Sequence, residues 1–122
     1  MDADFRTILK QRGALFSKSA AIGIQFEALL KDGLYDELAR HANAMATKMA
    51  DGIKNAGYEL MNPVVTNMLL PFFPVKVADA LHELYGFYEW KKTQDYTTVR
   101  LVTSWATPEI VIEEFIEDLR NI

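Results

Sequence analysis

One arginine and the segment around it carry the clearest chemical signal in the chain. Val99-Arg100-Leu101-Val102-Thr103-Ser104-Trp105-Ala106-Thr107-Pro108 begins as a strand and ends at the start of a helix. By the two-residue period of a strand, Val99, Leu101 and Thr103 share one face, while Arg100, Val102 and Ser104 share the other. The neighbours of Arg100 are mostly apolar, and no acid lies within four residues of it. A guanidinium binds carboxylate or phosphate through paired hydrogen bonds. Arg100 therefore needs an acid from elsewhere in the fold or an anionic ligand. Spacing alone favours the structural salt bridge.

Other chemistry is sparse. There is no cysteine, which excludes disulfides, thiolate metal sites and cysteine nucleophiles. The sequence has no glycine-rich phosphate loop, no His/Cys metal cluster, no Gly-x-Ser-x-Gly elbow and no aromatic-basic nucleic-acid motif. His41 has no second ligand at metal spacing and reads as a surface or satisfied histidine. His82 is assigned to an outer face. Glu109, Glu113, Glu114, Glu117 and Asp118 read as a solvated helix face. The formal net charge of −4 recommends neither nucleic acid nor an acidic membrane as partner. The N-terminus has no secretory pattern, and apolar runs such as Met68 to Val75 are broken by proline. The expectation is a cytoplasmic protein without membrane contact.

The elements that must position Arg100 can be read in order. Residues 4–31 are helical by spacing, with a break near Gly13. Asp32 is the expected N-cap of the next helix, whose stripe is Leu34, Leu38, Ala42, Met45, Met49 and Ile53. Gly57 follows as its stop. Tyr58 to Met61 reads as a short strand and Thr66 to Phe73 as a better one, held by Pro71 to an edge or bulge. Pro74 opens a helix with Ala78, Leu81, Leu84 and Tyr85 inward. Phe87 to Lys91 and Thr97 to Thr103 form a hairpin, with Tyr88 and Trp90 on one face. Thr107 is the expected cap of a last helix, with Val111, Phe115, Leu119 and Ile122 buried. The 122 residues suffice for one real core. The sum is an α+β domain: a small, mainly antiparallel sheet with helices on one face, preceded by a long N-terminal helix. The expected organisation is a linking helix region at 1–32 and an α+β small domain at 33–122.

Several segments resemble one family. Arg12-Gly13-Ala14-Leu15-Phe16-Ser17-Lys18, Gly23 to Leu29, Asp32-Gly33-Leu34-Tyr35, Ala39-Arg40-His41-Ala42-Asn43, Tyr85-Gly86-Phe87-Tyr88-x-Trp90 and Val99 to Thr107 are similar, in order, to the C-terminal part of the low-specificity threonine aldolases. These are beta-eliminating lyases of the fold type I pyridoxal-phosphate class. The resemblance implies the small domain of that fold. It implies a parent enzyme that holds pyridoxal phosphate on a lysine and splits β-hydroxy amino acids into glycine and an aldehyde. It implies that Arg100 binds the α-carboxylate of the amino-acid substrate. It implies that Arg12 and Lys18 lie in a segment passing near the cofactor phosphate, although Ser19-Ala20-Ala21 departs from the Gly-basic pair of some relatives.

None of the lysines here matches the Schiff-base position. That lysine, the acid for the pyridine nitrogen and the histidine stacked on the ring belong to the part of the family that precedes this sequence. The expectation is a C-terminal piece of a lyase that binds no cofactor by itself, has no catalytic residue of its own and is inactive alone. The alternative is a binding or oligomerisation module that kept the fold and lost the chemistry. Either form is expected to be a homo-oligomer, since the first helix is apolar in more than one direction.

Overall fold

A computed structural model describes residues 4–122; Met1, Asp2 and Ala3, which belong to the expected 1–32 region, lie outside the described residues. The chain divides into two units, Met1–Asp36 and Glu37–Ile122. The first holds α1 (Phe5–Gln11) and α2 (Ser19–Leu30). The expected break lies between them, with Gly13 at φ +66°, a conformation glycine adopts without a Cβ clash. Neither helix buries a residue. A 3-10 turn, Lys31–Gly33, follows. Asp32 sits inside that turn at φ 56° rather than in the extended backbone an N-cap requires. Aspartate tolerates the left-handed region, and Gly33 continues the reversal at φ +77°.

The second unit is organised around α3 (Leu34–Asn55), whose first turn contains the unit boundary. The predicted stripe holds from Ala42 onward: Ala42, Met45, Met49 and Ile53 are buried, joined by Ala46, Ala50 and Gly52. Leu34 remains exposed and Leu38 half-buried. The sheet comprises β1 (Met68–Leu69), β2 (Phe72–Pro74), β3 (Tyr88–Lys92) and β4 (Tyr96–Val102), with every pairing antiparallel. All three other strands pair with β4. The expected single strand from Thr66 to Phe73 is interrupted at Leu70 and Pro71, because proline has no N–H to give to a ladder. Tyr58 to Met61 forms only an isolated bridge, Leu60 to Pro71.

Helices α3, α4 (Val75–Leu84) and α5 (Glu109–Asn121) cover the sheet face that bears Phe73, Val99 and Leu101. Ala78 and Leu81 of α4 enter the core, but Leu84 is 60% exposed. In α5 the buried set is Ile112, Phe115, Ile116 and Leu119. Phe115 and Leu119 are buried as expected, Ile112 and Ile116 complete an i, i+3, i+4, i+7 stripe, and Val111 and Ile122 are exposed. Pro108 rather than Thr107 precedes the first helical residue, and no side-chain cap bond is made.

Helices α3 and α5 pack close at Gly52. A Cβ there would overlap Cδ1 and Cγ1 of Ile116. Gly52→Ala is therefore expected to destabilise by about 1–2 kcal/mol, overpacking outweighing the gain in helix propensity. In the Ile116→Ala background the same substitution fills space and should stabilise. Denaturant midpoints of the four variants in this cycle test that reversal of sign.

Candidate functional site

Strand β4 alternates as the sequence implies. Val99, Leu101 and Thr103 are buried, and Arg100 and Val102 are exposed. Regular pairing of the β3–β4 hairpin outward from Lys91↔Thr98 would set Glu89 opposite Arg100. A β-bulge at Trp90 shifts the register instead, so that Glu89 faces Val99 and Tyr88 faces Arg100. The Arg100 guanidinium carbon lies over the Tyr88 ring, 5.1 Å from its centroid. Glu89 turns to Lys92, 3.5 Å away, which also contacts Asp79 of α4 at 3.4 Å. Among the described residues no carboxylate pairs with Arg100. The salt-bridge reading favoured by spacing finds no partner among the described residues: Glu89, the acid a regular ladder would supply, faces Val99 instead. A cation held by a ring face keeps its in-plane N–H donors available.

Arg100 stands at the rim of a cleft of about 420 Å³. The floor is formed by Met49, Leu101, Ile112 and Phe115, with Tyr85 and Phe87 on the wall and Tyr88, Val102 and Val111 at the rim. Tyr85 donates its hydroxyl to Asp118 Oδ2 at 2.5 Å. Burial, then the Asp118 carboxylate, pushes its pKa up to about 12, so the ring stays a neutral donor.

The strand end beyond Arg100 is tied to two other elements. Thr103 Oγ1 donates to the Ala42 carbonyl of α3 at 2.7 Å, and Asn67 Nδ2 donates to the Thr103 carbonyl at 2.6 Å. Thr107, expected to cap α5, instead accepts the Ser104 N–H on Oγ1 at 2.8 Å and so closes the turn. His41 Nε2 lies 2.8 Å from the Thr107 carbonyl. A carbonyl only accepts, so that nitrogen carries the proton. On the outer side Lys48 bridges Glu109 and Glu113, at 2.6 and 2.5 Å, and joins α3 to α5. These bonds to the two carboxylates hold the Lys48 pKa above its ordinary value; the bond from Lys48 holds Glu109 below its own.

The other predicted residues sit in the first unit. Arg12 closes α1 through its backbone N–H, and Lys18 precedes α2. Both are exposed and carry no ion pair among the described residues. The groove in that unit is lined by Phe5, Arg6, Leu9, Leu15, Phe16, Ser17 and Ser19, and includes neither of them. Sequence reasoning missed Tyr88 as the support of Arg100. Its signal was the hairpin, but only the bulge sets the register.

No family model matches the chain. A low-specificity L-threonine aldolase from a Pseudomonas strain is 30% identical over 99% of this chain, which covers 34% of that protein. The solved threonine aldolase of Leishmania major matches 98% of the chain with a TM-score of 0.86 and 36% identity, the chain covering 35% of it. An 8-amino-7-oxononanoate synthase from Francisella tularensis matches with a TM-score of 0.60 at 11% identity, which shows the fold alone. The chain thus spans about a third of the length of the aldolases it matches. Both aldolase matches fit a C-terminal piece, and the fold is that of the small domain of fold type I pyridoxal-phosphate enzymes. The expected resemblance and fold class hold.

Deleting Trp90 removes the extra residue, and regular pairing outward from Lys91↔Thr98 then still sets Glu89 opposite Val99 and Tyr88 opposite Arg100. Ring-current displacement of the Arg100 Hδ protons is expected in the parent chain and should persist in the folded deletion variant. Its loss there would show that cross-strand register alone does not set the Arg100–Tyr88 contact.

Proposed function

We propose that these residues are the carboxylate-holding part of a cytoplasmic pyridoxal-phosphate-dependent lyase that cleaves β-hydroxy amino acids into glycine and an aldehyde. The observation that carries this reading is Arg100: free of any acid among the described residues, stacked on Tyr88, and set at the rim of an apolar cleft. Two parallel N–H···O bonds from its guanidinium to an α-carboxylate would fix the substrate's orientation. Strand β4 and the Thr103 and Thr107 ties hold the arginine's backbone rigid, so little ordering is left to binding.

The parent family uses pyridoxal phosphate, which supplies an electron sink when bound. Among the described residues, those lining the Arg100 cleft do not fit that group. The Arg100 cleft is lined by no lysine, aspartate, glutamate or histidine, so it offers neither an amine for a Schiff base nor an acid for the pyridine nitrogen. Arg12 and Lys18 are exposed and line none of the described clefts. In this reading the chain holds a carboxylate and does not turn it over alone.

Incubated with pyridoxal phosphate and L-threonine, the chain is expected to form no glycine above the cofactor-only control. Joined to the remainder of a threonine aldolase, it should support cleavage, and Arg100→Ala should then lower kcat/KM by roughly 30-fold or more, the cost of an unpaired substrate carboxylate. Unchanged kinetics in that variant would remove the assigned role.

The first unit favours self-association as a companion property. Phe5, Ile8, Phe16, Ile22, Ile24 and Phe26 are all 46–64% exposed in a unit with no buried residue among those described, and an apolar surface of this kind marks an interaction site. Light scattering should give a dimer or larger; a monomer at tens of micromolar would exclude it.

A further inference from the structure

A second cleft, of about 570 Å³, opens on the sheet face opposite Phe73 and Val99 and shares no lining residue with the Arg100 cleft. Strand register builds its floor. Thr98 of β4 pairs with Phe72 of β2 on one side and with Lys91 of β3 on the other, and directly paired residues share a face. Glu59 extends the row beyond Phe72, since the Phe72 N–H donates to the Glu59 carbonyl and Leu60 bridges Pro71. The row across the sheet is thus Glu59, Phe72, Thr98, Lys91. By strand spacing the acid and the base at its ends stand about 14 Å apart at the backbone. Neither forms an ion pair among the described residues. Thr98 is only 4% exposed and lines the cleft, yet its side chain makes no hydrogen bond among the described residues. A buried hydroxyl of this kind is costly until something in the cleft meets it. Tyr58 and Tyr96 supply ring surface on the walls, the first half-buried and the second exposed.

We propose that this cleft binds an aromatic α-amino acid as its zwitterion: the carboxylate on Lys91 and the Thr98 hydroxyl, the ammonium on Glu59, the ring against Phe72 and Tyr96. Both charged side chains are long enough to reach inward and meet a ligand's two charges between them. An anion alone would leave Glu59 facing it across the cleft, and a cation alone would leave Lys91. The aromatic walls favour a ring through offset or edge contact, and their faces also attract an ammonium. The proposal stands independently of the role of Arg100. It gives the domain a second amino-acid site, one row along β4 from the first.

The test uses the full chain, labelled for NMR, with L-phenylalanine and its two halves, phenethylamine and hydrocinnamate, as probes. Phenylalanine should shift the Phe72, Tyr96 and Thr98 signals and bind about tenfold or more tightly than either half. Lys91→Gln should reduce its affinity to that of phenethylamine, and Glu59→Gln to that of hydrocinnamate. Both positions are exposed, so the fold does not depend on them. Thr98→Val keeps the β-branched shape and should weaken binding about fivefold. Arg100→Ala should leave every one of these affinities unchanged. Halves that bind as tightly as phenylalanine would overturn the proposal. So would shifts that fall on the Arg100 cleft and vanish in Arg100→Ala, a result that leaves the carboxylate role of Arg100 standing. Absence of any shift at tens of millimolar phenylalanine would overturn it too.

Discussion

The extra residue in β3 is the constraint on which the candidate site depends. A regular hairpin from Lys91↔Thr98 brings Glu89 against Arg100 and makes an exposed salt bridge of small energetic consequence. The bulge at Trp90 replaces that acid with Tyr88 and sends Glu89 to the Lys92 and Asp79 side. Pairing this segment through a bulge rather than as a regular ladder therefore leaves the arginine a cation with donors to spare. The ring beneath it limits its motion without competing for the in-plane hydrogen bonds a carboxylate needs.

Everything around β4 keeps that arrangement stiff. The strand takes pairing from β1 and β2 on one edge and from β3 on the other, and its buried residues enter the same core as α3, α4 and α5. Beyond Arg100 the chain is pinned by Asn67, Ala42 and His41 before α5 starts. The cleft is a by-product of this layout. Strand β3 begins at Tyr88 opposite Arg100, so beyond that pair β4 has no β3 partner, and the side chains of α3 and α5 line the space.

Much of the domain was legible from local chemistry. The α3 stripe from Ala42 onward, the break at Gly13 and the inside-outside alternation of β4 from Val99 follow from residue volume, backbone freedom and period. The misses share a different cause. Thr107 reads as a cap by type, but the Ser104 turn claims its hydroxyl, and α5 starts after Pro108 without a side-chain cap. Leu84 fits the α4 stripe by spacing and yet lies where no neighbour covers it. Asp32 reads as a cap and becomes a turn residue, because the reversal before α3 needs positive φ at two successive positions.

By itself the sequence determined the helix and strand content, the apolar faces, and the presence of one arginine without a local acid. Its ordered motifs also determined the family it resembles. Periodicity reports only what lies along a single element, so it could not assign Arg100 a partner. Tertiary structure decided that, because cross-strand register is a relation between two segments and a single bulge changes it by one residue. Spacing alone left Arg100 leaning toward a salt bridge; in the fold it stands on Tyr88 with no acid beside it.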